Sequence, residues 1–435
     1  KYTPTKKTEH LKVYFNISSD DEAAHIVDIE LSDYKAKIID KKIYVDYKFV
    51  HDSLNSRFYW DANENVLLYT TASDIISAAA DSNSYSVTKQ TNDFGYPIVK
   101  ATSDSALIAL DYVKQYSNIT FKSYDDPARI VITSKWDEID SATVSKSTQV
   151  RVKGGIKSPI LKEVKKDDKI TILDSGDKWD KVATEDGVIG YIQRKALSES
   201  KKTKLTNPDY EEETFTHIKK DKDLCLAWNQ VTSQSANSKV PQLISSTKGI
   251  NVMSPTWFYL NDNNGNLADI ASKDYVSYCH SQGIEVWGLF SNFENTDVDA
   301  AYVLTHTSTR TTLINQIMSA AFNYELDGVN IDFENITEAA YGDSYIEFIR
   351  ELAIKCHNNG ISLSVDVTVP ASFNKFFNRS DMANFADYIV IMGYDEHYKG
   401  SDAGSVSSIT WVTEGVVSTL KEVPADQIFL GMPIY

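Results

Sequence analysis

From about residue 220 onward the chain repeats one pattern, a short apolar run followed by a longer amphipathic stretch. The apolar runs are LCLAW (224–228), GINVMSPTWF (249–258), IEVWGLFS (284–291), LDGVNIDF (326–333), ISLSVDVTVP (361–370), YIVIMGYD (388–395) and IFLGMPIY (428–435). Helical periodicity marks the segments between them, among them SKDYVSYCHSQG (272–283), RTTLINQIMSAAFNY (310–324) and YIEFIRELAIKCHNNG (345–360). A strand followed by a helix, repeated, makes neighbouring strands parallel, because the chain must cross over before it can run the same way again. Seven such strands predict an α/β fold of the (β/α)8 TIM barrel type rather than a doubly wound sheet. No glycine-rich phosphate fingerprint follows the first run, which argues against dinucleotide binding. The seventh run reaches Tyr435, so the C-terminal part of the barrel, with its eighth strand, is expected to be truncated here.

One run is out of character. In LDGVNIDFEN (326–335), Leu326, Val329, Ile331 and Phe333 suit a buried strand, whereas Asn330, Asp332 and Glu334 do not. Alternate residues of a strand share a face, spaced by about 6.5 Å. Asn330, Asp332 and Glu334 therefore line one face and the apolar residues line the other. Several ionisable groups on an interior face are costly to desolvate unless they are used. The run is either an edge strand with a wet face or a site. A calcium loop does not fit, since such loops carry a mid-loop glycine and polar intervening residues. In a barrel of this type, reactive groups sit at the C-terminal ends of the strands, which is where Glu334 falls. Asp327 has the opposite parity and is expected to serve the start of the strand.

The net charge of −17 argues against nucleic acid as a partner, because phosphate binding needs clustered cations. No apolar run reaches the ~18 residues of a membrane span. The charge is uneven: residues 145–204 hold 15 Lys and Arg against 9 Asp and Glu, a basic module on an acidic chain. Cys225, Cys279 and Cys356 are widely spaced, without CxxC, and the 8 histidines are scattered; no metal site and no cofactor is expected, and the thiols are read as buried and free.

Ahead of the barrel, expected over residues 216–435, three segments stand out. Residues 1–140 alternate β-like runs with one helical stretch and predict an α+β module. Residues 143–198 hold short strands broken by GG, SP, KKDD, SGDK and EDG, the turn spacing of a small all-β barrel, with Trp179 and Tyr191 as core candidates. Residues 199–215, polar and carrying Asn-Pro, read as a linker.

The stretch D-G-V-N-I-D-F-E (327–334) closely resembles the D-G-x-D-x-D-x-E signature of family 18 glycoside hydrolases, and MGYD (392–395) resembles that family's M-x-Y-D. Phe290–Ser291–Asn292, ending the third run, is a partial third match. The resemblance implies a retaining glycosidase acting on N-acetylglucosamine-containing polysaccharide by substrate-assisted catalysis. Glu334 would be the general acid, Asp332 the residue that orients the substrate's 2-acetamido group, and Tyr394 the hydroxyl bonded to its oxygen. Asp395, Met392 and Asn330 would line the sugar site, with Asn330 standing where the signature has an aspartate. Trp257 and Trp287, with Trp228, are candidate sugar-stacking surfaces, core packing being the other reading of each. The 143–198 segment resembles a bacterial SH3 domain, which implies attachment to the bacterial cell wall and a secreted, wall- or spore-associated enzyme. Peptidoglycan is then the first expected substrate and chitin-like oligomers the second. A catalytically silent glycan-binding protein on the same barrel is the alternative. The pattern YVDYKFV followed by FYWDANENVLLYTT resembles the copper amine oxidase N-terminal-like modules of bacterial surface proteins, which need not bind copper.

Overall fold

The computed structural model describes residues 23–28, 30–125, 128–334, 336 and 341–434. The first 22 residues of the expected N-terminal module, Asn335 of the acidic stretch and Tyr435 of the seventh run lie outside them. The described chain divides into two compact units. One is built from residues up to 58, 79–84 and 93–212, the other from 59–78, 85–92 and 213 onward.

The first unit holds two seven-stranded sheets. One combines strands Ala23–Asp28 to Lys42–Asp46 with Val99–Ala101, Ala106–Ala109, Thr120–Asp125 and Ala128–Thr133, and carries the helix Leu110–Tyr116. The other is antiparallel and all-β, spanning Glu138–Thr143 to Lys201–Lys204. Its core is Val144, Val150, Leu161, Val164, Ile170, Val182, Val188 and Ile192, with full in-out alternation along Trp179–Thr184. Trp179 and Tyr191 are only half-buried, so neither anchors that core. The start of the expected linker is itself a strand, Lys201–Lys204, paired with Glu138–Thr143. Its three lysines are exposed, the charge pattern of an edge strand protected from further pairing. A cleft of 570 Å³ in this unit is lined by Phe121, Trp136, Ile139, Ile170 and Leu173.

The second unit is a curled, parallel α/β sheet. Its strands follow chain order: Leu226–Asn229, Val252–Leu260, Glu285–Ser291, Gly328–Asp332, Ser362–Thr368, Tyr388–Met392 and Ile428–Gly431. These are the seven runs read from the sequence, with a short antiparallel strand, Leu267–Asp269, added beside the second. The curl brings the two ends of the sheet together. A Cβ on Gly431, in the last strand, would lie 2.8 Å from the Trp228 ring of the first, so that contact requires glycine.

The outward residues Val329, Ile331, Leu363, Val365 and Ile389 pack under the crossover helices, chiefly Thr307–Tyr324 and Gly342–His357. The latter helix is buried almost all round, charged residues included. Arg350 pairs with Glu347 at 2.9 Å and with Asp381, and Arg310 pairs with Glu351 at 2.8 Å. The remaining partners come from far earlier in the chain. Residues 59–78 belong to a five-stranded sheet, Phe58–Asp61 to Gln90–Asp93, and group with the curled parallel sheet rather than with the rest of the expected 1–140 module. Thr70 donates its hydroxyl to Glu347 at 2.8 Å, and the Tyr59 hydroxyl meets Ser344 at 2.9 Å. Asp61 accepts from the backbone N–H and hydroxyl of Thr307, both at 2.6 Å, and Glu64 accepts from the Ser308 N–H at 3.0 Å. No side chain of its own caps the helix Thr307–Tyr324; these two carboxylates satisfy its N-terminal N–H groups and its dipole. Among the described residues no helix is long and apolar enough to cross a membrane.

Candidate active site

The fourth strand delivers its polar face into the curl. Asn330 is fully buried, Asp332 is half-buried and Glu334 stands exposed at the mouth, while Val329, Ile331 and Phe333 are buried on the helix side. Phe333 stacks on Phe348, with ring centroids 5.5 Å apart, which fixes the strand end from behind. Asp327, of opposite parity, bonds His280 and the Val286 N–H, each at 2.8 Å, and so ties the start of the strand to its neighbour as expected.

Asp332 and Glu334 share a hydrogen bond. Burial pushes the Asp332 carboxyl well above the usual carboxylate range, and the like charges of Asp366, Glu334 and Glu294 push it further. The Glu334 carboxyl is also raised, first by desolvation and then by Asp395 and Glu294, with the Asp332 hydrogen bond working the other way. The environment therefore favours a protonated acid at the tip of the strand.

Around this pair the structure assembles residues from the ends of the first, third and sixth strands. Tyr394, just past the sixth strand, meets the half-buried Trp228 edge-on at 6.1 Å. Asp395 takes a left-handed backbone conformation (φ 61), which Asp tolerates better than most residues, and its charge reaches Glu334. Met392 is buried at the end of the sixth strand, level with Gly431, and forms part of the wall. Ser291 donates to both carboxylate oxygens of Glu294 at 2.6 Å, holding that acid beside the pair. Asn292 and Tyr341 line an adjacent pocket of 270 Å³.

Three expected site residues lie elsewhere or play another part. Trp257 is fully buried, its indole N–H bonded to Asn237 at 2.8 Å and its ring against Tyr275 at 4.9 Å. A register shift between Thr256 and Phe258 turns that stretch of the second strand toward the helix layer. Trp287 faces inward but at the opposite end of the sheet, stacked on Tyr388 and Phe429 and fully buried. Neither tryptophan can stack on a sugar. Asn330 has no exposed surface and lies beneath the site: its Oδ1 accepts from the Trp228 indole at 2.9 Å and the Ser254 hydroxyl at 3.0 Å, and its Nδ2 donates to Asp366 at 2.8 Å. Cys279 and Cys356 are buried free thiols, but Cys225, just before the first strand, is exposed.

Sequence reasoning missed Glu294 and Asp366. Glu294 sits in a loop, where no periodicity points to it. Asp366 follows Ser362 and Ser364 at period two in the fifth run, the same signal that marked the fourth strand, here without a motif around it.

Comparison with known proteins places this site in context. The family model of Glycosyl hydrolases family 18 matches residues 292–435, which include Glu294, Asp332, Glu334, Asp366 and Tyr394. Over 188 residues the chain is 24% identical to the uncharacterized glycosylase YvbX of Bacillus subtilis, a match covering 40% of this chain and 54% of that protein. It is 25% identical over 181 residues to the cortical fragment-lytic enzyme of the same organism, covering 40% of this chain and 42% of the relative. The chain thus spans about half the length of these curated relatives. Among solved structures, a chitinase from Chromobacterium violaceum aligns with a TM-score of 0.43 at 21% identity, covering 49% of this chain and 68% of that one. On the sequence match, residues 292–435 are similar to glycosyl hydrolases of family 18.

Proposed function

We propose that the protein is a retaining glycosidase that cleaves N-acetylglucosamine-containing glycan with Glu334 as general acid. The observation that carries this reading is the hydrogen-bonded pair Asp332–Glu334 at the mouth of the curled sheet. Glycosidases that use two carboxyls directly hold them about 5–5.5 Å apart for a covalent intermediate, or about 6.5–9.5 Å apart to admit a water. Two carboxyls bonded to each other fit neither arrangement. On the resemblance to family 18, the nucleophile is instead the 2-acetamido oxygen of the substrate, which attacks the anomeric carbon. Glu334 gives its proton to the departing oxygen, and the acetamido group becomes a cyclic oxazolinium. Asp332 lies next to the developing positive charge and orients the amide N–H, while the Tyr394 hydroxyl bonds the acetamido oxygen. Asp395 and Met392 contact the sugar.

Peptidoglycan is the proposed substrate. The cortical fragment-lytic relative supports it, as does the basic all-β segment 143–198, suited to an anionic wall. On this reading the protein works outside the cell, on wall or spore glycan. Chitin-like oligomers are the second choice.

A thiazoline analogue of the oxazolinium should inhibit competitively, because the site is shaped for that species. N-acetylated oligosaccharides should turn over and their de-N-acetylated counterparts should not. Comparable hydrolysis of both would refute the acetamido route.

A further inference from the structure

Beneath the acid pair, the fourth and fifth strands set two carboxyls side by side. Asn330 pairs with Ser364 and Ile331 with Val365, so Asp332 and Asp366 take the next level of the same parallel ladder, on strands about 4.8 Å apart. Ser362, Ser364 and Asp366 share the inward face, as Asn330 and Asp332 do.

The wiring below fixes which oxygens remain. The indole of Trp228 can only donate, so the carbonyl of Asn330 must face it, and the amide N–H of Asn330 must then face Asp366 Oδ1. That leaves Oδ2 of Asp366. Among the described residues it is buried without a hydrogen-bond partner, and so is Oδ1 of Asp332. Two buried, unpartnered carboxyl oxygens on adjacent strands cannot both belong to ionised groups at acceptable cost, and one proton relieves both.

We propose that Asp332 and Asp366 share a single proton, and that Asp366 is a positioning residue that sets the charge on Asp332. The catalytic consequence rests on the glycosidase reading above; the pairing itself does not. In the resting site the proton keeps the pair at one negative charge. As the acetamido group becomes positive, Asp332 releases its proton to Oδ2 of Asp366 and faces the oxazolinium as a carboxylate. When the ring is hydrolysed the proton returns, and none is exchanged with solvent. Four further titratable groups face the pair: Glu294 from the loop after the third strand, Glu334 beyond the fourth, Tyr345 from the helix Gly342–His357, and Asp395 beyond the sixth, acting through Glu334. Burial, with Glu334 adding to it, raises the Asp366 carboxyl to about 8, against the pull of the hydrogen bond from Asn330.

The sign of the pH effect follows. A carboxyl raised in the folded state keeps its proton where the unfolded chain has released it, so its contribution to stability is full at low pH and is lost as pH rises toward about 8. The test compares denaturant midpoints of the whole protein, Asp366→Asn and Asp332→Asn across that range. The wild-type midpoint should fall with rising pH, and either variant should remove at least half of the fall, because either abolishes the second like charge. Asp366→Asn keeps the acceptor for Asn330, so it should fold. It should lower kcat on the order of 10²-fold, the lower end for a positioned proton carrier, with KM little changed. The alkaline limb of its kcat/KM profile should move to lower pH. A pH-independent loss of stability with that limb in place would mark Asp366 as merely structural and overturn the proposal. If the wild type cleaves no N-acetylated glycan, the glycosidase reading falls, and the midpoint profiles alone decide whether the proton is shared.

Discussion

Replacing Glu334 by Gln should lower turnover by ~10²–10⁴-fold, the range that general-acid catalysis contributes, while glycan binding and thermal stability stay close to those of the wild type. The two halves of that expectation have separate causes. Gln keeps the shape of the side chain and can still meet Asp332, but it has no proton to give the leaving oxygen. Stability should hold because Glu334 stands at the mouth and its carboxyl, pressed by Asp395 and Glu294, contributes little favourable energy to the fold. Removing such a group relieves like-charge repulsion. Initial rates on N-acetylated oligosaccharide, paired with a melting curve and a binding isotherm on the same preparation, check all three quantities. Near-normal turnover by this variant would remove Glu334 from the mechanism and with it the assignment of the whole acid pair.

The parts of this structure that were legible in the sequence are those governed by short-range periodicity. Alternation in VNIDF placed Asn330 and Asp332 inward and Val329, Ile331 and Phe333 outward, and each parallel strand of the curled sheet coincides with an apolar run. Parity, however, says which face a residue takes and not how deep it lies along the strand. Trp287 is inward but at the floor, under Tyr388 and Phe429, and Trp257 follows a register shift that no local pattern announces. Asn330 was on the right face and one layer too deep to meet a substrate. Asp366 shows the converse failure. Its period-two signal was present, but its meaning depends on which strand lies beside it, and that pairing is a property of the sheet. The charged residues of Gly342–His357 were hidden for the same reason. Glu347, Arg350 and Glu351 read as one polar stripe of an amphipathic helix, yet all three are buried against partners from elsewhere.

Those partners set the second large expectation. A fragment beginning near residue 213 holds every described strand of the parallel sheet, and sequence segmentation sets it apart as a unit of its own. It should nevertheless fail to fold cooperatively, because it lacks residues 59–78. Without Asp61 and Glu64, the N–H groups of Thr307 and Ser308 at the start of an 18-residue helix lose their acceptors. Loss of one such cap costs about 0.5–2 kcal/mol. Without Thr70, Glu347 loses the donor to one oxygen, while Arg350 remains on the other. Without Tyr59, the ring 5.0 Å over the Arg310 guanidinium is gone, and an arginine with no exposed surface opens toward water along with Ser344. Each buried polar group left without a partner costs about 1–3 kcal/mol, against a total stability of about 5–15 kcal/mol for an ordinary domain. Circular dichroism and a thermal melt of residues 213–435 beside the whole protein test this directly, and a broad or absent transition is the expected result. A single substitution supplies the graded version. Asp61→Ala in the whole protein removes two acceptor bonds at the helix start, separated from it by 246 residues of chain, and should lower the melting temperature by roughly 2–8 °C. A sharp transition of the fragment within a few degrees of the whole protein, together with an unshifted Asp61→Ala variant, would show that the sheet and its helices need nothing from the N-terminal strands.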